Sequence, residues 1–220
     1  LSPSGGILQG DRYRMDVELK NNAISHITTQ GATRIYKMES NYATHMVTLS
    51  LKNNSYLEFI PEQIIPYKNS RFYQKTNLDI DDSSTVVYSE TIVPGRIAMG
   101  EMFDFDVCYL KTEGTLNQKI QFRDSSLLMP KSQKIQSLAM FDDKTILTSV
   151  YVLTKKHVTK INDLVNEIFS NIQGISGGSS ILPNDSGVSI RILGNSSEDQ
   201  KITIYQILKI IRKEILPEYL

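Results

Sequence analysis

Three histidines (His26, His45 and His157) and one cysteine (Cys108) are the chain's whole supply of imidazole and thiolate ligands. None lies within metal-ligand spacing of another, and no Cys-x-x-Cys, His-x-His or His-Glu-x-x-His occurs, so no tight transition-metal site is expected. His26 and His45 fall in strand-like stretches and read as structural imidazoles, His157 as an exposed residue ahead of a helix, and Cys108 as a packed thiol. Gly5-Gly6-Ile7-Leu8-Gln9-Gly10 matches neither the dinucleotide fingerprint nor the phosphate loop, and Gly177-Gly178-Ser179-Ser180 has no Lys. The chain is therefore not expected to hydrolyse nucleotide itself. Three carboxylates stand out beside turn residues: Glu62 after Pro61, Glu90 ahead of Pro94-Gly95-Arg96, and Glu101 after Gly100. A pair of such groups on a β-solenoid could cleave polysaccharide, although the chain has no Trp for sugar stacking.

The elements that would position these residues are mostly strands. Alternating runs occur at Tyr13–Lys20, Ala23–Thr29, Met46–Leu51, Tyr56–Ile60, Leu78–Ile80 and Val86–Ser89, each bounded by turn formers. Val17-Glu18-Leu19-Lys20-Asn21-Asn22-Ala23-Ile24 resembles Leu49-Ser50-Leu51-Lys52-Asn53-Asn54-Ser55-Tyr56, and Leu78-Asp79-Ile80-Asp81-Asp82-Ser83-Ser84-Thr85 resembles both. Asn54 follows Asn22 by 32 positions and Ser83 follows Asn54 by 29, the period of a stacked β-coil; a β-meander reusing similar turns is the alternative. A strand with Phe103, Phe105, Val107 and Tyr109 on one face is expected next, followed by strands at Leu116–Phe122 and Thr145–Val152. Ile161, Leu164, Val165, Ile168, Phe169 and Ile172 form one helical stripe from about Thr159, stopped at Gly174. Ile175–Asp185 reads as a Gly/Ser-rich loop and Val188, Ile190 and Ile192 as a strand. A second helix starts at Ser197 with Gln200 in capping-box position, buries Ile204, Leu208, Ile211 and Ile215, and ends at Pro217. The fold class is thus mainly β, a β-helix-like solenoid with two helices in the C-terminal third. A single domain is expected over 1–220, its β-rich stack at 1–153 and an α-β-α segment at 154–220.

Composition narrows the setting. The 220 residues carry 24 basic and 24 acidic side chains, so there is no basic footprint for nucleic acid. Hydrophobic residues at 40% argue for a folded chain, and no apolar run is long enough to span a membrane. A lone cysteine suits a reducing, cytoplasmic compartment. Leu1-Ser2-Pro3-Ser4-Gly5-Gly6 has no initiator Met and no signal-peptide pattern, and the natural beginning is expected to be missing.

Specific strings carry a resemblance. Pro3-Ser4-Gly5-Gly6-Ile7-Leu8-Gln9-Gly10-Asp11 resembles the opening signature of the UreD (UreH) family of urease accessory proteins. Thr28-Thr29-Gln30-Gly31-Ala32-Thr33-Arg34-Ile35-Tyr36 is similar to that family's next block, with Gly31 and Arg34 as mild departures. Leu57-Glu58-Phe59-Ile60-Pro61-Glu62, Ile65-Pro66-Tyr67 and Ser70-Arg71-Phe72 follow in family order. Glu90-Thr91-Ile92-Val93-Pro94-Gly95-Arg96-Ile97-Ala98-Met99-Gly100-Glu101 resembles a further block, and Val188-Ser189-Ile190-Arg191-Ile192-Leu193-Gly194-Asn195-Ser196-Ser197-Glu198 the lead-in to the last helix.

The resemblance implies a non-enzymatic maturation factor with a β-helical fold, acting with UreF, the nickel-carrying GTPase UreG and apo-urease. It implies a polar internal route for nickel in transit, with no tightly bound cofactor. Asp11, Thr29, Gln30, Glu62, Arg71, Glu90, Arg96 and Glu101 are the expected route or scaffold residues. Transient nickel contacts are expected at Glu62, Glu90 and Glu101, and Arg71 and Arg96 are expected to pair with carboxylates. The outer face of the second helix and Ile175–Asp185 are candidates for contact with UreF.

Overall fold

Paired asparagines set the architecture by turning the chain at regular intervals. Asn21, Asn22, Asn53 and Asn54 all have φ between 55° and 63°, a left-handed conformation that Asn tolerates better than most residues. The structure, a computed structural model, describes residues 5–138 and 140–216. In it β1 (Arg12–Leu19), β2 (Ile24–Ile27) and β3 (Thr33–Ile35) form a first coil, and β4 (Ala43–Leu51), β5 (Tyr56–Phe59) and β6 (Ile64–Pro66) a second. β7 (Arg71–Ile80) and β8 (Thr85–Ile92) make the third. Asn54 Nδ2 donates to Asn22 Oδ1 at 3.1 Å and Asn53 Nδ2 to Asn21 Oδ1 at 3.2 Å. The next corner continues the ladder, because the Asn53 and Asn54 amides donate to Asp81 Oδ2 and Ser83 Oγ at 2.7 and 2.8 Å. The repeat read from the turns is the real stacking period.

After the third coil, β9 (Val107–Leu116) stacks parallel on β7 and turns through Asn117-Gln118 into antiparallel β10 (Lys119–Leu128). β11 (Ile146–Leu153), α1 (Val158–Asn171), β12 (Ser176–Ile181), β13 (Gly187–Gly194) and α2 (Ser197–Ile215) complete the chain. A five-stranded sheet has the order β1-β4-β7-β9-β10; an eight-stranded sheet follows β12-β13-β11-β8-β5-β2, with β3 and β6 beside it. The two sheets face each other. Both helices cover the far face of the eight-stranded sheet, where Ile161, Val165, Ile207, Leu208 and Ile211 pack on Val87, Val150, Val152, Ile190 and Ile192.

Several expectations change. Residues 103–106 are not strand: Phe103 has φ 54°, and the Asp106 and Val107 amides both donate to the Ser70 carbonyl. That irregularity shifts the alternation by one, so Cys108, Leu110 and Thr112 point inward while Val107 and Tyr109 lie on the outer face. Leu116–Phe122 is a hairpin bend, since Asn117 and Gln118 both adopt positive φ, the requirement of a tight two-residue connection. The Gly/Ser-rich segment is edge strand β12, not a loop. Gly177 there lies against the Phe169 ring, where a Cβ would come within 2.4 Å, and Asn166 of α1 bonds the Ser179 amide and carbonyl. Ser196 rather than Ser197 caps α2, accepting from the Asp199 amide at 3.2 Å. Gln200 is buried and donates to the Ile146 carbonyl instead of closing a capping box. Pro217 and Pro3-Ser4 of the opening block lie outside the described residues.

Candidate functional site

Inward positions on neighbouring strands should be uniformly apolar in a stacked β-coil, and here they are not. On β7 the inward series Phe72, Gln74, Thr76, Leu78, Ile80 has two polar residues at its middle; on β8 the series Val86, Tyr88, Glu90, Ile92 does the same. Strand register lines these residues up. Glu90 pairs with Ser149 of β11, which pairs with Arg191 of β13. Across the gap, Thr76 pairs with Thr112 of β9, which pairs with Asp124 of β10. The result is a polar seam along the stacking direction. It divides the inter-sheet core into an apolar cluster around Leu49, Leu57, Leu78 and Val86 and another around Ile35, Phe72, Ile92 and Leu110.

Hydrogen bonds order the seam. His45 Nδ1 lies 3.0 Å from Gln74 Oε1, Gln74 Nε2 donates to the Tyr88 hydroxyl at 3.0 Å, and Thr76 Oγ1 donates to it at 3.1 Å. Tyr88 donates in turn to Glu90 Oε2 at 3.0 Å. At the far end Tyr151 donates to Asp124 Oδ2 at 3.1 Å, and Arg191 Nη2 donates to the same carboxylate. The rings of Phe59, Tyr88, Tyr151 and Phe122 stack in succession, 5.4 to 6.1 Å apart, and wall the seam on one side. Burial pushes the Glu90 carboxyl up to about 7, against the opposing pull of the Tyr88 hydrogen bond and Arg191. Burial also raises the Cys108 and Tyr88 pKa values and lowers that of His45. Cys108 is thus the packed thiol its pattern suggested.

Chemically the seam offers hard, weak oxygen ligands: two carboxylates, two threonine hydroxyls, a serine hydroxyl, two phenols and an amide. Among the described residues no group of three or more His, Cys, Asp and Glu side chains could hold a metal ion. Such a set can solvate a cation briefly without trapping it.

Of the eight residues singled out from sequence, Glu90 alone lies in the seam. Thr29 and Glu62 meet elsewhere: the Glu62 amide donates to Thr29 Oγ1 at 2.9 Å, and the Glu62 carboxylate pairs with Lys201 of α2 at 2.9 Å. Glu62 borders a cleft between α2 and the coil, with empty volume of about 570 Å³ including its open mouth, lined also by His26, Gln63, Ser197 and Tyr205. Beneath it Glu58, 1% exposed, takes both Arg212 donors at 2.7 and 2.6 Å, the Tyr56 hydroxyl at 2.7 Å and His26 Nδ1 at 2.6 Å. Burial alone would raise its pKa; these partners outweigh it and hold the carboxylate below its usual range. Glu101 is clamped by both Arg96 donors, with Arg96 4.1 Å above the Tyr67 ring, and Arg71 Nε bonds Asp106 at 2.8 Å. Both arginines therefore pair with carboxylates, as expected. Asp11 accepts from the Leu8 amide at 2.8 Å in an exposed turn, and Gln30 is exposed in the connection from β2 to β3. Glu62, Glu90 and Glu101 do not face one another, so no two-carboxylate hydrolytic pair forms among them. Sequence reasoning missed Gln74, Thr76, Tyr88, Thr112, Asp124, Ser149, Tyr151 and Arg191. Polar residues in the apolar phase of a strand were the available signal.

A family model described as UreD urease accessory protein matches residues 1–219. The protein named Urease accessory protein UreD from Cenarchaeum symbiosum (strain A) is 40% identical over 200 residues, covering 90% of this chain and 70% of the relative. Urease accessory protein UreD 2 from Brucella suis biovar 1 (strain 1330) is 36% identical over 230 residues, with 99% of this chain and 75% of the relative covered. Urease accessory protein UreD from Yersinia enterocolitica is 36% identical over 227 residues, covering 98% and 70%.

Proposed function

The chain belongs to the UreD urease accessory protein family, and from that premise we propose that it matures urease by passing nickel along the polar seam toward the enzyme's active site. Family membership implies a part in urease maturation; the seam supplies the mechanism. The single observation that carries it is the Glu90–Ser149–Arg191 and Thr76–Thr112–Asp124 rows, which keep oxygen ligands facing one another through a core that packing alone would fill with apolar side chains. Nickel is cargo, and no three-ligand cluster among the described residues would hold it. The protein works without catalysis of its own, in the cytoplasm, as a scaffold joining UreF, the GTPase UreG and apo-urease. No helix among the described residues is long and apolar enough to cross a membrane. The exposed Ile202 and Tyr205 on α2, together with the edge strand β12, are where we place the contact with UreF.

The test is the double substitution Glu90→Gln plus Asp124→Asn, with the chain co-expressed alongside UreF, UreG and apo-urease. Both side chains keep their size and lose their ionisable carboxyl. Complex recovery is expected to be unchanged, and urease nickel content at limiting nickel to fall about tenfold, the scale of losing ligand charge along a cation path. Normal nickel content in a recovered complex would overturn the route. Failure to recover any complex with the unsubstituted chain would overturn the scaffold role.

A further inference from the structure

The seam reaches solvent between β10 and β13, and one ion pair fills its mouth. Glu90 and Thr112 are 4% and 1% exposed, whereas the side chains of Arg191 and Asp124 are 35% and 28% exposed. The pair therefore marks the boundary between interior and solvent. Arg191 Nη2 donates to Asp124 and, at 3.3 Å, to the Tyr151 hydroxyl, with the guanidinium 5.3 Å from the Tyr151 ring centroid. A guanidinium that only locked two sheets together would use both prongs of its fork. Here Nη1 is buried with no hydrogen-bond partner among the described residues, as is Thr112 Oγ1 on the facing row. Leaving buried donors unpaired costs stability, which makes this a poor fastener. The position between Arg191 and Glu90 is Ser149, one of the smallest side chains available to a strand.

We propose that Arg191 is the gate of the seam: its guanidinium holds the place at Asp124 that a divalent cation takes in passing, and it swings toward solvent on the Tyr151 ring to let that cation through. This rests on the cation-route reading. A fixed positive charge in a narrow polar path repels cations strongly when little water screens it, and Asp124 alternates between two cationic partners instead of being left bare. The part-exposed Arg191 side chain leaves the guanidinium somewhere to go, and the aromatic face supports it on the way.

The experiment titrates nickel into the co-expressed complex with UreF, UreG and apo-urease and reads urease nickel content. Arg191→Gln is expected to lower the nickel concentration for half-maximal loading about fivefold. Arg191→Lys, which keeps the charge, is expected to restore most of the wild-type response. A merely structural Arg191 would give equal losses in both variants and no gain in either. Ser149→Val leaves the ion pair intact and narrows the path; it is expected to raise the half-maximal concentration. Unchanged titrations for Arg191→Gln and Ser149→Val beside impaired loading in Glu90→Gln overturn the gate and leave the route standing. Unchanged titrations in all of them overturn the route, and the gate with it.

Discussion

The two faces of the eight-stranded sheet are made by alternate residues of the same strands, yet they obey different rules. Toward the helices, β8, β11 and β13 present Val87, Val150, Val152, Val188, Ile190 and Ile192. Most polar residues on that face are paired, Thr85 with Thr154 at 2.8 Å and Thr91 with Thr148 at 2.8 Å; Ser89 Oγ, buried with no partner among the described residues, is the exception on β8. Toward the other sheet the same strands present Tyr88, Glu90, Ser149, Tyr151 and Arg191, a continuous run of polar and ionisable groups facing Thr112, whose Oγ1, like Arg191 Nη1, has no partner among the described residues. One face is optimised for packing. The other keeps groups that packing would discard, and stability alone gives no reason to retain them.

The contrast can be broken most violently on the helix side. Leu208, 1% exposed, packs inside the helix-facing cluster, and Leu208→Ala should cost about 3 kcal/mol through lost transfer energy and the cavity left behind. A denaturant melt would check it; a loss well under about 1 kcal/mol would show that this layer is not the main anchor.

Substitution in the seam should act in the opposite direction and depend on pH. The Glu90 carboxyl sits at about 7 against an ordinary 4.5, so the folded chain binds its proton more tightly than the unfolded chain. Its contribution is intact below pH 4.5 and is lost as pH rises through 7, by up to about 3 kcal/mol. Glu90→Gln removes that titration. Its midpoint relative to wild type should rise between pH 5 and 8, whereas parallel pH curves would contradict the buried, protonated carboxyl.

A smaller comparison uses one substitution across the seam, on β9 of the facing sheet, and one on the helix-facing side. Thr112→Val discards a hydroxyl with no partner and should be neutral or stabilising by about 0.5–1 kcal/mol, while Thr148→Val breaks bonds to Thr91 and Gln200 and should cost about 1–2 kcal/mol. Thermal melts of the two variants should move apart; equal shifts would erase the distinction between the faces.

Much of the fold was legible because local chemistry dictates it. The Asn pairs at the coil corners announce themselves by type and spacing, and the stripes of α1 and α2 follow from the helical period. Short β3 and β6 escaped notice because three residues carry no periodicity. The site was legible only at Glu90. Its partners come from five other strands, and their meeting is a property of stacking register, which sequence order conceals. The phase error at Phe103–Tyr109 hid Thr112 as well, since one irregular turn before β9 exchanges the inner and outer faces of the whole strand. Charged pairs such as Arg96–Glu101 drew attention for their residue types, and they prove to brace a surface loop.

The central claim is that the seam gives up stability to handle a cation, and one measurement addresses both halves together. The complex of UreF, UreG and apo-urease assembled with Glu90→Gln would be assayed at pH 8 for chain stability and for urease nickel content. The account predicts a more stable chain that loads less nickel. A variant that is less stable and loads normally would contradict it.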